Sequence, residues 1–242
     1  MAELVTPEAP ILPWPRMFPQ YWLNLSFLHW AVEPASIAHL YPPGTEPDTF
    51  EGSSFVGVVP FQMSLLGTFL ETNIRLYSVD GTGRRGVFFL SLDTNRLAMV
   101  AAGRSIFGVP YRWARMGYRQ NGDRRTYTST VRWRGIAASS SIEVRVGDPL
   151  TCGPLEHFLT ARWGAHTVRA GRTWYVPNEH AVWVLRRAEL IDFTDDGLFA
   201  SVGLGHLGNR PPDHVVYSDG VAARFGLPVR STTARVVRPG AR

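Results

Sequence analysis

Residues 86–134, GVFFLSLDTNRLAMVAAGRSIFGVPYRWARMGYRQNGDRRTYTSTVRWR, constrain the fold more than any other stretch. They open with an apolar strand over 86–92, after which Asp93 or Thr94 can cap a helix over about 95–107 with Leu97, Val100 and Ala101 on one face. Ala98, Ala101, Ala102 and Gly103 let that helix lie close against a sheet. Gly108 ends it, and Pro110 forbids its continuation. The residues that follow alternate in polarity, and Asn121-Gly122 is the strongest short-range hairpin signal in the chain. A two-residue turn there pairs Tyr111 with Arg132, Trp113 with Thr130 and Arg115 with Thr128, all six side chains on one face.

The rest of the chain repeats short strands broken by turn chemistry. Strands are expected over 20–32, 49–62, 68–79 and around Ile142, Val144 and Val146, with short helices over 34–40 and 155–161. A hairpin over 166–176 turns near Gly171, and Asp195-Asp196-Gly197 joins strands over 181–193 and 198–204. Val215 to Tyr217 read as a last strand. Many short strands with few small helices favour a mainly β, α+β chain closed as an antiparallel barrel or sandwich. Pro7, Pro10, Pro13, Pro15 and Pro19 make 1–19 an extended arm, residues 20–229 a single domain, and 230–242 a basic, disordered tail.

Charge and composition remove several functions. The net charge is +5, but Arg230, Arg235, Arg238 and Arg242 lie in a tail without acids, which leaves +1 for everything before it. No nucleic-acid partner is expected on that balance. All 25 positive residues are arginine, so no side-chain amine is available for a Schiff base or a phosphate-loop lysine. The one cysteine, Cys152, forms no internal disulfide and fits a reducing compartment. With no charged leader before an apolar run and no apolar stretch long enough to span a bilayer, a soluble, cytoplasmic protein without a membrane partner is expected.

Candidate chemistry is sparse. Gly203-Leu204-Gly205-His206-Leu207-Gly208 matches the dinucleotide glycine pattern, but Asn209, Arg210, Pro211 and Pro212 follow where a helix must begin, so it reads as a glycine-rich strand or bulge. The seven histidines lack metal-ligand spacing, and no metal or cofactor is expected. Glu179 and His180 are strand neighbours facing opposite sides. Glu71 sits in a poorly charged strand and either faces an interior, where its pKa rises and it can shuttle protons, or faces water at an edge. Arg104 either snorkels or pairs with a buried acid. Tyr111, Trp113 and Arg115 either line a pocket, the arginine holding a carboxylate, or pack as ordinary core.

Separated motifs then fall in order: Phe69-Leu70-Glu71-Thr72-Asn73-Ile74-Arg75, Gly86-Val87-Phe88-Phe89-Leu90-Ser91-Leu92-Asp93, Gly108-Val109-Pro110-Tyr111-Arg112-Trp113-Ala114-Arg115-Met116, Phe158-Leu159-Thr160-Ala161-Arg162-Trp163, and Tyr217-Ser218-Asp219-Gly220-Val221 with Phe225-Gly226-Leu227-Pro228. Together they resemble the YqjF-like family of bacterial proteins of unknown function over 15–229. That family is similar in fold to acetoacetate decarboxylase, which implies a β-barrel-like cone around an apolar pocket. The enzyme's active-site run resembles Gly103-Arg104 and Gly108-Val109-Pro110 but continues with two lysines where this chain has Tyr111 and Arg112. The resemblance therefore implies a pocket without imine-forming decarboxylase activity, and it sets Glu71 near the enzyme's pocket glutamate. The expected function is binding of a small organic-acid or carbonyl-type ligand by Glu71, Arg104, Tyr111, Arg112, Trp113 and Arg115. Two alternatives stand beside it. One is a non-covalent hydratase, isomerase or lyase in which Glu71 moves the proton and Arg112 or Arg115 holds the anion. The other is a structural protein with a filled barrel, with room for a homo-oligomer.

Overall fold

A computed structural model describes residues 2–231. The chain runs through β1 (Met17–Val32), α1 (Pro34–Ile37), β2 (Thr45–Pro47), β3 (Ser54–Ser64), β4 (Thr68–Asp80), β5 (Arg85–Thr94), α2 (Leu97–Ala102), β6 (Tyr111–Asn121) and β7 (Arg124–Val131). It continues with β8 (Ser139–Pro149), α3 (Pro154–Thr160), β9 (Gly164–Arg169), β10 (Arg172–His180), β11 (Arg186–Asp196), β12 (His214–Phe225) and β13 (Val229–Arg230).

These strands form one sheet that closes on itself twice. A larger ring runs β5-β6-β7-β8-β11-β12-β1-β3-β4 and back to β5. A smaller ring runs β5-β9-β10-β12-β1-β3-β4 and back to β5. Strands β12, β1, β3, β4 and β5 are therefore a wall common to both. Such a wall is buried on two faces, and its sequence shows it: Ser54–Ser64 reads SFVGVVPFQMS with almost no exposed position. Alternation divides the side chains. Leu28, Trp30, Val56, Val58, Ile74 and Leu76 fill the larger ring, while Leu25, Phe27, Val59, Phe61 and Met63 face the smaller one.

Four sequence expectations are corrected. The sheet is not wholly antiparallel, because β5 pairs in parallel with β9 through Val87 and Phe88 and with β6 through Leu92 to Thr94. A parallel neighbour needs a crossover, and the expected helix over 95–107 supplies it in two parts: α2, then a π-helical turn over Gly103–Phe107 that ends on left-handed Gly108 at φ 67°. In the β6–β7 hairpin Asn121 pairs with Arg124, so Gly122-Asp123 is the two-residue turn and Arg115 lies opposite Thr130. Gly122 is at φ 58°, taking the first turn position.

Residues 198–204 are not a strand. Asp195 accepts the backbone N–H of Leu198 and Phe199, which folds the chain into short 3-10 turns over Ala200–Val202 and Gly205–Asn209. Leu198, Phe199, Leu204 and Leu207 thereby plug one end of the larger ring, and the glycine-rich motif belongs to this plug and not to a strand or bulge. The proline-rich arm lies on the domain: Leu12 is buried, Glu3 donates to Gly83 and Trp163 Nε1 donates to Thr6. Of the basic tail, Arg230 pairs with Trp174 in β13. Residues 232–242 lie outside the described residues.

Candidate functional site

The smaller ring is not filled. It encloses a cavity of about 360 Å³ whose wall is apolar over most of its extent, with aromatic rings from Trp22, Phe27, Phe61, Phe89 and Trp183. Met99, Ala102, Ile106 and Phe107, on α2 and the π turn, cover one side. The polar groups on this wall are few. Glu71, Asn73 and Arg75 are three successive inward residues of β4, and Tyr111, Arg162, Asn178 and His180 join them from other elements.

Glu71 is 3% exposed, and the Tyr111 hydroxyl donates to its Oε2 at 2.7 Å. Burial pushes the carboxyl up to about 7, opposed by hydrogen bonds from Tyr111 and Asn73 and reinforced by the charge of Asp93. Burial, followed by the nearby Glu71 charge, holds the Tyr111 hydroxyl well above its ordinary value, so the tyrosine remains a neutral donor. Backbone packing fixes its ring. A Cβ on Gly103 would fall 2.2 Å from Tyr111 Cδ2, so only glycine in the π turn admits the ring at this place.

Arg75 donates from Nε and Nη2 to the Tyr77 hydroxyl at 3.3 and 3.1 Å and from Nη2 to the Leu159 carbonyl at 3.3 Å. Its guanidinium carbon lies 5.4 Å from the Phe27 ring centroid. His180 contacts the Ala181 carbonyl through Nδ1 at 2.7 Å; a carbonyl only accepts, so Nδ1 carries the proton and Nε2 is left as an acceptor. Burial holds this imidazole down at about 4, hence neutral. Arg162 is tied by Nη1 to Asp48 and by Nε to the Phe158 carbonyl, and its Nη2 has no partner. Asn73 Oδ1 and Asn178 Oδ1 are likewise buried without partners.

Of the residues singled out from sequence, the structure brings Glu71 and Tyr111 together in the cavity and leaves four outside it. Arg104 is exposed, donates to the Tyr111 carbonyl at 3.0 Å and stacks 4.9 Å over Trp133. Arg112 is buried on the other face, its Nε on Asp93 and its Nη1 2.8 Å from Ser201 Oγ. Trp113 and Arg115 are exposed. The reason is topological. Beyond Trp113 strand β6 leaves β5 and enters the larger ring, where its odd-numbered residues face solvent. Arg75, Arg162, Asn178 and His180 were not singled out as ligands. Arg75 had a signal in its spacing, two alternations after Glu71 on one strand face. His180 and Glu179 do face opposite sides, the glutamate turned outward 3.4 Å from Arg16.

A second constellation has the residue types of a hydrolytic triad without their access. Ser78 Oγ lies 2.7 Å from His166 Nδ1, and His166 Nε2 lies 3.7 Å from Asp80 Oδ2. Ser78 and His166 are wholly buried and do not reach the cavity. Among the described residues no group of three or more histidine, cysteine or acidic side chains is placed to hold a metal ion, and no helix is long and apolar enough to cross a membrane.

The doubly closed sheet has the acetoacetate decarboxylase-like fold. The chain superimposes on acetoacetate decarboxylase from Legionella pneumophila subsp. pneumophila str. Philadelphia 1 with a TM-score of 0.62 at 13% identity, over 93% of this chain and 92% of that one. It is similar to the enduracididine biosynthesis enzyme MppR, solved with HEPES bound, with a TM-score of 0.61 at 15% identity over 93% and 90% of the two chains. Within that fold the chain belongs to the DUF2071 family, described as an uncharacterized conserved protein, whose model matches residues 19–222. It is 30% identical over 183 residues to the uncharacterized protein YqjF of Bacillus subtilis (strain 168), an alignment covering 70% of this chain and 75% of that protein.

Proposed function

We propose that the protein binds a small organic acid or carbonyl compound inside the smaller ring, and binds it without a covalent bond. The observation that carries this reading is the Glu71–Tyr111 pair, a protonatable carboxyl and a neutral hydroxyl meeting at 2.7 Å on the wall of an otherwise apolar cavity. Such a pair presents hydrogen bonds to a ligand oxygen while the aromatic wall receives its carbon skeleton. The chain contains no lysine, so the imine through which an amine activates a β-keto acid is closed to its side chains. The motif resemblance, which sets Tyr111 and Arg112 at the decarboxylase's two lysines, supports binding without decarboxylation. The single cysteine and the near-neutral charge before the tail fit a cytoplasmic protein with a small-molecule partner.

Native mass spectrometry of the purified protein tests the reading, followed by titration with short- and medium-chain oxo and carboxylic acids. A retained or added small molecule is expected in the wild type and not in Tyr111→Ala. If the wild type holds nothing and none of these acids binds at millimolar concentration, the reading falls.

The pKa of about 7 at Glu71 supports a second reading, in which the same site moves a proton as a hydratase, isomerase or lyase. A carboxyl poised near neutrality both gives and takes protons at working pH. Deuterium uptake at carbons next to the carbonyl of small ketones and oxo acids, followed by NMR, is expected for the wild type and is lost in Glu71→Gln. Binding without exchange leaves the protein a binder.

A further inference from the structure

Arg75 is a cation without a counter-ion. Its three hydrogen bonds go to neutral oxygens, and among the described residues no carboxylate lies within 4.0 Å of it. The other arginine of the wall, Arg162, has its charge met by Asp48. Holding a guanidinium against Phe27 in an apolar cavity with no counter-ion is costly unless something anionic arrives there. Other groups on the same cavity wall are suited to receiving such a charge. Arg162 Nη2 is a buried donor with no partner, and the neutral His180 ring, held in place between Trp163 and Trp183, adds no negative charge.

Arg75 also points away from Glu71. Its guanidinium reaches toward Tyr77 and Leu159, farther along β4, and its charge acts on His29 and His180, whereas the groups that act on Glu71 are Tyr111, Asn73 and Asp93. Four residues of extended strand separate the two Cα atoms by ~13 Å. Most of the cavity wall is apolar, so a ligand held at Arg75 lays its body on carbon.

Building on the reading of this cavity as a ligand site, we infer that Arg75 is its anion anchor and that the ligand is a monocarboxylate with an apolar body, its carboxylate on Arg75 and its carbon skeleton along Phe27, Val59 and Phe61.

Isothermal titration calorimetry at neutral pH with butyrate, octanoate and the neutral octanamide tests this on the wild type, Arg75→Gln, Arg75→Lys and the exposed-site control Arg115→Gln. Octanoate is expected to bind the wild type about tenfold or more tighter than octanamide or butyrate, since a charge-assisted contact is at stake. Arg75→Gln loses that tenfold for octanoate and leaves octanamide unchanged, Arg75→Lys recovers part of it, and Arg115→Gln matches the wild type. Equal binding of octanoate and octanamide, or of octanoate by wild type and Arg75→Gln, overturns the anchor while ligand binding itself stands. If no compound of the series binds and mass spectrometry finds no retained molecule, the parent reading falls with it. Should Arg75→Gln fail to fold in a thermal melt, the wild-type preference for octanoate over octanamide and butyrate decides alone.

Discussion

Glu71 gives the cavity a measurable signature. With a folded value of about 7 against an ordinary value of 4.5, the native state holds a proton that the unfolded chain releases between those two pH values. Stability from this group is therefore full below pH 4.5, falls as pH rises from 4.5 to 7, and is flat beyond; the loss is about 3 kcal/mol. His29, His180 and His214, all held below their ordinary range chiefly by burial, slope the other way over the weakly acidic range, so the wild-type profile alone conceals Glu71. The difference exposes it. Urea unfolding of wild type and Glu71→Gln across pH 4.5 to 8 is expected to show the wild type losing about 3 kcal/mol relative to the variant, and a constant difference contradicts the burial argument. Tyr111→Phe removes a hydrogen bond that favours the carboxylate, so the Glu71 midpoint is expected to rise further, read from its carboxyl carbon by NMR. At this scale the sequence was half legible. A carboxylate in an apolar strand stands out, but Arg75 on the same face does not, because in a chain whose 25 positive residues are all arginine one more carries no contrast.

At the scale of elements, the passage from β5 through α2 to β6 decides which side chains reach the cavity. Tyr111 and Arg112 are neighbours on opposite faces, one in the smaller ring and one in the larger, and Arg112 with Asp93 joins the parallel pair from the far side. Arg112→Met is expected to cost about 3–5 kcal/mol in urea unfolding, because it leaves Asp93 buried and unpaired. The cost shrinks as pH falls and the Asp93 carboxyl, already raised by burial, takes up a proton. Ligand binding persists in this variant, whereas a site built on Arg112 requires its loss. Strand existence, the helix after β5 and its glycine stop were all legible in local pattern. The hairpin register was not, since Asn-Gly invites a turn centred on both residues while the chain uses glycine first and aspartate second; moving the turn by one residue shifts each pairing by two and keeps the faces.

The double closure belongs to the whole molecule, and nothing local announces it. Strand β5 divides one edge between β9 and β6, and β12 divides one between β11 and β10, so two rings share a wall. Doubly buried strands such as β3 are visible as unbroken apolar runs, yet such a run fits a sandwich equally well. What the closure changes is how the molecule opens. An amide in the middle of β1, β3 or β4 is flanked by strands on both sides and covered by packed side chains on both faces, so freeing it requires both rings to come apart. The β6–β7 hairpin belongs to one ring only, and its outer face is exposed at Thr128 and Thr130. Native-state hydrogen exchange is therefore expected to be slowest at 25–30, 55–59 and 73–77, with opening energies equal to global unfolding, and faster in β6 and β7. The cover over the cavity, α2 and the π turn, exchanges faster still, because few backbone bonds tie it to the sheet and its outer residues Leu97 and Ile106 stand in solvent. Equal protection in the hairpin and the shared wall contradicts two separable rings. Octanoate in the cavity then slows exchange in the smaller ring and its cover, and leaves the β7–β8 side of the larger ring as it was.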